Sequence, residues 1–121
     1  MRRPEQVLQR AVVQYLDAVL PASAWCFHAP NGGGRSKVEA AIFKGLGVRA
    51  GLPDICILYD GRAFWIELKA AKGRLSEAQE RAHVRLWEAG CPVAEARSLD
   101  DVRRLLVEEW AIPTREARAA A

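Results

Sequence analysis

Cysteine is scarce in this chain and never paired. Cys26, Cys56 and Cys91 are odd in number, far apart and without a CxxC spacing, which argues against a zinc site or a disulfide framework. Cys56, in the middle of a candidate strand, reads as a small buried hydrophobe. No apolar run is long enough to span a membrane and no secretory leader is recognisable, so a reducing, cytoplasmic setting (a bacterial or phage-infected cell) is expected. The triple glycine Gly32-Gly33-Gly34 is not followed by Gly-Lys-Ser/Thr, so a phosphate-cradling P-loop and a nucleotide cofactor are not expected. Excess charge is also small: a net +3 permits nucleic acid as a partner without demanding it. Neither an internal repeat nor a linker interrupts the 121 residues. One domain is therefore expected over residues 1–112, with the Ala/Arg-rich 113–121 as a tail.

What is present is regular patterning. Val7, Leu8, Ala11, Val12, Tyr15, Leu16, Val19 and Leu20 recur at helical spacing and form one broad apolar face. Pro4 suits the first turn of that helix and Pro21 stops it. Ala24 to Ala29 is a short strand candidate, followed by a loop, Pro30-Asn31-Gly32-Gly33-Gly34, with strong breaker residues. Ser36 with Glu39 and Ser76 with Gln79 have capping-box spacing. They open helices over Lys37–Leu46, ended by Gly47, and to about Ala89, ended by Gly90. Cys91 to Ala96 is a further strand, and Ser98 caps a last helix through Leu99, Val102, Leu105, Leu106 and Trp110. With two strands in the middle, the order is α-β-α-β-β-α-β-α, an α/β fold. Both faces of the central hairpin carry apolar residues, Ile55, Ile57, Phe64, Ile66 and Leu68 on one and Cys56, Leu58 and Trp65 on the other. A sheet buried on both sides by helices is therefore expected.

That hairpin carries the chemistry. Pro53–Tyr59 and Arg62–Lys69 read as strands joined by Asp60-Gly61, a pair suited to a two-residue type I′ turn. Tyr59 then faces Arg62, and counting back along the ladder places Asp54 opposite Glu67. Facing carboxylates repel, and a divalent cation between them removes the repulsion. Lys69 projects from the same face because side chains alternate along a strand. Two acids and a lysine at one polar strand end point to a Mg²⁺ site for phosphodiester chemistry. A solvated turn aspartate and a solvated strand edge are the ordinary readings of these residues singly, but they do not account for the shared alignment.

Gly51-x-Pro53-Asp54, twelve intervening residues and Glu67-Leu68-Lys69 resemble the PD-(D/E)XK nuclease superfamily. Within it the chain is similar to the VRR-NUC (virus-type replication-repair nuclease) family, related in fold to Holliday-junction resolvases. Pro30-Asn31-Gly32-Gly33, Lys44-x-x-Gly47-Val48-x-x-Gly51 and Gly73-x-Leu75-Ser76-x-x-Gln79 fit the same pattern, so the likeness spans roughly residues 5–107. It implies a restriction-endonuclease-like mixed sheet flanked by helices, with Asp54, Glu67 and the Leu68 carbonyl as metal ligands. Lys69 would position or activate the attacking water. The family also uses an acid from its first helix, where Glu5 matches, although the helix dipole favours a first-turn Glu in any case. It places a glutamine near the active site as well, at Gln79. Capping alone explains that residue, and one side chain is not expected to serve both roles. His28 and His83 read as incidental.

The expected function is Mg²⁺- or Mn²⁺-dependent endonucleolytic cleavage of DNA. The resemblance implies 5′-phosphate products and branched substrates such as four-way junctions in DNA repair. Arg35, Lys37, Lys44, Arg49, Lys72 and Arg74 flank the acids in sequence and are candidate DNA contacts. A homodimer is expected, since two sites about a two-fold axis match the symmetry of a junction. The rivals are a DNA-structure-binding module without cleavage and a scaffold subunit. Intact Asp54, Glu67 and Lys69 argue against both.

Overall fold

The computed structural model describes residues 3–30 and 36–116. Helix α1 (Arg3–Val19) is followed by strand β1 (Trp25–His28), helix α2 (Lys37–Gly45), strands β2 (Ile55–Tyr59) and β3 (Arg62–Leu68), helix α3 (Glu77–Glu88), strand β4 (Val93–Ala96) and helix α4 (Leu99–Arg104). The four strands form one sheet in the order β1-β2-β3-β4, antiparallel up to β3 and parallel between β3 and β4. This is a mixed sheet with helices on it, as expected for a PD-(D/E)XK-like fold.

The hairpin follows its turn chemistry. Asp60 (φ 52°) and Gly61 (φ 73°) both take positive φ, as a type I′ turn requires. Tyr59 consequently pairs with Arg62 and Ile55 with Ile66. Helix starts are local too. Ser36 accepts the Glu39 N–H, and Ser76 with Gln79 completes a reciprocal capping box.

One sheet face holds the core. Val12, Leu16, Val19 and Leu20 of α1 and its C-terminal end pack with Ile55, Ile57, Phe64, Ile66 and Leu68, joined by Val102, Leu105 and Leu106. Each such side chain removed from water contributes on the order of 1.5–3 kcal/mol. The last helix does not run on as a regular α-helix to Trp110. It widens into a π-helical turn over Leu105–Glu109, with Trp110 N–H donating to the Leu105 carbonyl at 2.8 Å. Leu105 and Leu106 are both buried there, and Trp110 lies against Phe64 with ring centroids 5.2 Å apart. Beyond Ile112 the chain stays on the domain: Thr114 is buried and the Tyr15 hydroxyl donates to Glu116 at 3.2 Å.

The other face is covered unevenly, contrary to the expectation of burial on both sides. Helix α3 packs at the β4 side. Across β1 and β2, Trp25 and Leu58 remain exposed, with Phe27 between Trp25 and Trp65. Helix α2 could have covered them, but none of its residues is buried.

Candidate active site

A cluster of polar groups gathers at one end of β2 and β3. Asp54 immediately precedes β2, and the hairpin register continued by one step sets it against Glu67. Asp54 Oδ2 accepts the Leu68 N–H at 2.8 Å. Asp54, Glu67 and Lys69 are all buried, Glu67 at 1% exposure. Burial raises the Glu67 carboxyl pKa from 4.5 to about 9, hydrogen bonding to Asp54 and the Asp54 charge add to the rise, Lys69 opposes it, and Glu5 adds a little more. Two carboxylates thus compete for one buried position beside a single lysine.

Three backbone devices hold the acids there. The Asp54 carbonyl accepts the Ala29 N–H at 2.9 Å and faces His28 Nδ1 at 2.7 Å. A carbonyl only accepts, so that ring nitrogen carries the hydrogen. Gly51 (φ 80°) brings the approach to Asp54 against α3; a Cβ there would lie 2.2 Å from the Ala78 carbonyl oxygen. Only glycine satisfies both the φ and the contact. After Lys69, the Arg97 guanidinium donates to the Ala70 and Ala71 carbonyls at 2.6 and 3.2 Å.

Helix α3 supplies the remaining partners. Gln79 uses both ends of its amide: Oε1 accepts the Ser76 N–H at 2.9 Å, while Nε2 donates to Glu67 Oε2 at 3.4 Å. The expectation that one side chain would not serve as cap and site residue is therefore corrected. Acceptor and donor sit on opposite corners of the amide, and the cap fixes which corner faces Glu67. His83, one turn on, places Nε2 3.1 Å from Glu67 Oε1. Burial lowers the His83 pKa, favouring a neutral ring with its hydrogen on the nitrogen that faces the carboxylate.

The VRR-NUC domain profile matches residues 5–100, a span that includes every residue of this cluster. The chain belongs to the VRR-NUC family. One solved structure, described as a VRR_NUC domain protein, superposes with a TM-score of 0.72 at 22% identity, covering 93% of each chain. A second, described as a VRR_NUC domain, gives 0.62 at 18% identity, covering 89% of this chain and 99% of the other. At these identities the likeness concerns the fold. Comparison with curated protein sequences gives no match.

In this VRR-NUC domain Asp54, Glu67, Lys69 and Gln79 lie together at the end of the sheet. Glu5 reaches the same place: its Oε1 accepts the Ala70 N–H at 3.4 Å, and a Cβ on Gly73 would touch both Glu5 Oε1 and Lys69 Cδ at 3.4 Å. The basic candidates Lys37, Lys44, Arg49, Lys72 and Arg74 are exposed, and Arg49 lines a groove of about 1090 Å³ beside Ala78, Arg81 and Arg85 of α3. Arg35 lies outside the described residues, as does the stretch Asn31–Gly34. His28, His83 and Arg97 join the site although the sequence marked none of them. The one available signal was the i, i+4 spacing of Gln79 and His83, which puts both on one helix face.

The residues fit a hard dication. Two carboxylates face each other at a strand end with excess negative charge, and oxygen is the donor that Mg²⁺ prefers. Among the described residues no three His, Cys, Asp or Glu side chains are gathered closely enough to hold an ion alone. Asp54 and Glu67 are the two carboxylates that would anchor such an ion, and waters would have to complete its shell.

Proposed function

We propose that this VRR-NUC protein is a Mg²⁺- or Mn²⁺-dependent endonuclease that hydrolyses phosphodiester bonds in branched or structured DNA, in the manner of a junction resolvase. The observation that carries the reading is the burial of Asp54, Glu67 and Lys69 together at one end of the sheet. Buried ionisable groups are costly unless they serve a ligand or each other, and one lysine does not offset two acids.

Asp54 and Glu67 would hold the ion, with the Leu68 carbonyl as a neutral oxygen, and Glu5, which accepts the Ala70 N–H, would face the site from α1 and reach the ion through water. When bound, the ion lowers the pKa of a coordinated water and polarises the phosphate. Lys69, on the Glu67 face, holds the water in line and offsets charge gathering on the phosphate. Gln79 keeps Glu67 from turning away. Lys37, Lys44, Arg49, Lys72 and Arg74, with Arg35 beside them in sequence, would follow the DNA backbone, as phosphate contacts do.

The working unit in this reading is a homodimer. Val38, Ile42 and Leu46 form an i, i+4, i+8 stripe along α2 and its end, 57–75% exposed. Stripes of this kind usually mark interfaces. Most of the stripe of α1, by contrast, lies in the core, with Val7 left exposed.

The deciding assay incubates the protein with labelled four-way junction, flap and linear duplex in Mg²⁺, Mn²⁺ or EDTA. Cleavage of the branched substrates with either metal and none in EDTA is expected. Binding to the junction without cleavage in any metal would favour a DNA-structure-binding module instead.

A further inference from the structure

Helix α3 meets Glu67 through His83. No residue of that helix is fully buried, yet the His83 side chain is only 13% exposed and ends 3.1 Å from the most buried carboxylate of the site. We propose that His83 is a positioning residue, which together with Gln79 clamps Glu67 in the orientation that receives the divalent cation. The inference rests on the metal-site reading above and goes beyond it.

The clamp has two points. Gln79 Nε2 takes Glu67 Oε2 and His83 Nε2 takes Glu67 Oε1, so rotation of the carboxylate about its last bond breaks one contact or both. The two donors stand one turn apart on a single helix. Gln79 is itself locked by the cap at Ser76, and Gly51 seats the approach to Asp54 against the same turn. Both acids are therefore indexed to the start of α3. An imidazole suits this task better than a lysine or arginine, whose fixed charge would compete with the cation for Glu67. It orients the carboxylate while leaving the local negative charge for the dication. Its hydrogen bond also gives a buried Glu67 oxygen a partner on α3. Hydrogen-bond partners of ligating carboxylates typically change metal affinity or activity by about 10–100-fold when removed.

The test separates positioning from space filling. His83→Leu keeps a bulky side chain and loses the donor; His83→Gln keeps a donor of similar reach. Mn²⁺ binding is read directly from the loss of the free-ion resonance in electron paramagnetic titration, without DNA. Cleavage is then measured against Mg²⁺ concentration. The expected result is roughly 10–100-fold weaker Mn²⁺ binding in His83→Leu, a matching rise in the Mg²⁺ needed for half-maximal cleavage, and a much smaller change in the rate at saturating metal. His83→Gln should recover most of the affinity. If His83→Leu does not fold, His83→Asn, which draws the donor back by one methylene, carries the same comparison. Wild-type affinity for Mn²⁺ in the donor-less variant would overturn the proposal. So would a nitrogen coupling on bound Mn²⁺ that disappears in His83→Gln, because His83 would then be a ligand. A wild-type protein that binds no Mn²⁺ would instead overturn the metal-site reading, taking this one with it.

Discussion

Replacing Glu67 by glutamine should stop cleavage and, without metal, make the protein more stable as the pH rises. The carboxyl has a pKa near 4.5 ordinarily and is pushed to about 9 in the folded chain. Between those values the unfolded chain has released the proton and the folded chain retains it. Folding then takes up a proton, so stability falls with rising pH, by at most about 1.4 kcal/mol per pH unit. The stabilising contribution is complete below the ordinary value and gone above the raised one. From the lower value to pH 7.5 the ceiling is about 4 kcal/mol, and relaxation around the site will take the observed figure below it. Glutamine keeps the shape and has no proton to lose, and the one acceptor it gives up to its NH2 is an offset that does not vary with pH. The Tm gap between Glu67→Gln and wild type in EDTA should be small near pH 5 and widen toward pH 9. In a domain of this size each kcal/mol moves Tm by roughly 4 °C. Mg²⁺ should close the gap by stabilising the wild type alone. Thermal unfolding by circular dichroism across this pH range, in EDTA and in Mg²⁺, is sufficient. A gap independent of pH would show that the carboxyl is not perturbed, and the argument from paired buried acids would fail.

Lys69→Ala should lose cleavage while titrating Mn²⁺ like wild type, since its role lies with water and phosphate; normal cutting would place that role elsewhere. Gly51→Ala should cost about 2–3 kcal/mol, from the positive φ and the contact with the Ala78 carbonyl together, and a urea midpoint unchanged from wild type would contradict the seating of Asp54 on α3. Arg35→Ala with Lys37→Ala should weaken DNA binding for all sequences and reduce the slope of log K against log salt by about 2; an unaltered slope would move the DNA path away from that segment. Ile42→Asp should turn a dimer into a monomer by light scattering and abolish paired nicking of a junction, whereas a monomeric wild type, with and without junction DNA, would defeat the homodimer.

Much of the fold was legible because the interactions that set it are short in sequence. The Asp60-Gly61 turn closes on sterics within four residues, and strand alternation carries its register outward to Asp54 and Glu67. Serine caps act over three residues, so Ser36, Ser76 and Ser98 each mark a helix start. The stripe of α1 implied a buried face, and its period of 3.6 made that reading safe.

What remained depended on which surfaces meet. The stripe on α2 has the same local look as that of α1, yet none of its residues is buried, because periodicity reports an apolar face and not its cover. The widening of the last helix into a π turn likewise answers to the packing of Leu105, Leu106 and Trp110, which no local propensity encodes. Gln79 read as either cap or site residue until α3 was placed, when the two ends of one amide proved to face different partners. His83 and His28 read as unremarkable because the acids they meet are far from them in sequence. Glu67 is sixteen residues from His83, and Asp54 is twenty-six from His28. The sequence by itself determined the hairpin, the facing acids and the family they belong to. Tertiary structure decided what holds those acids, since that is settled only where α3 and β1 come to rest against the strands.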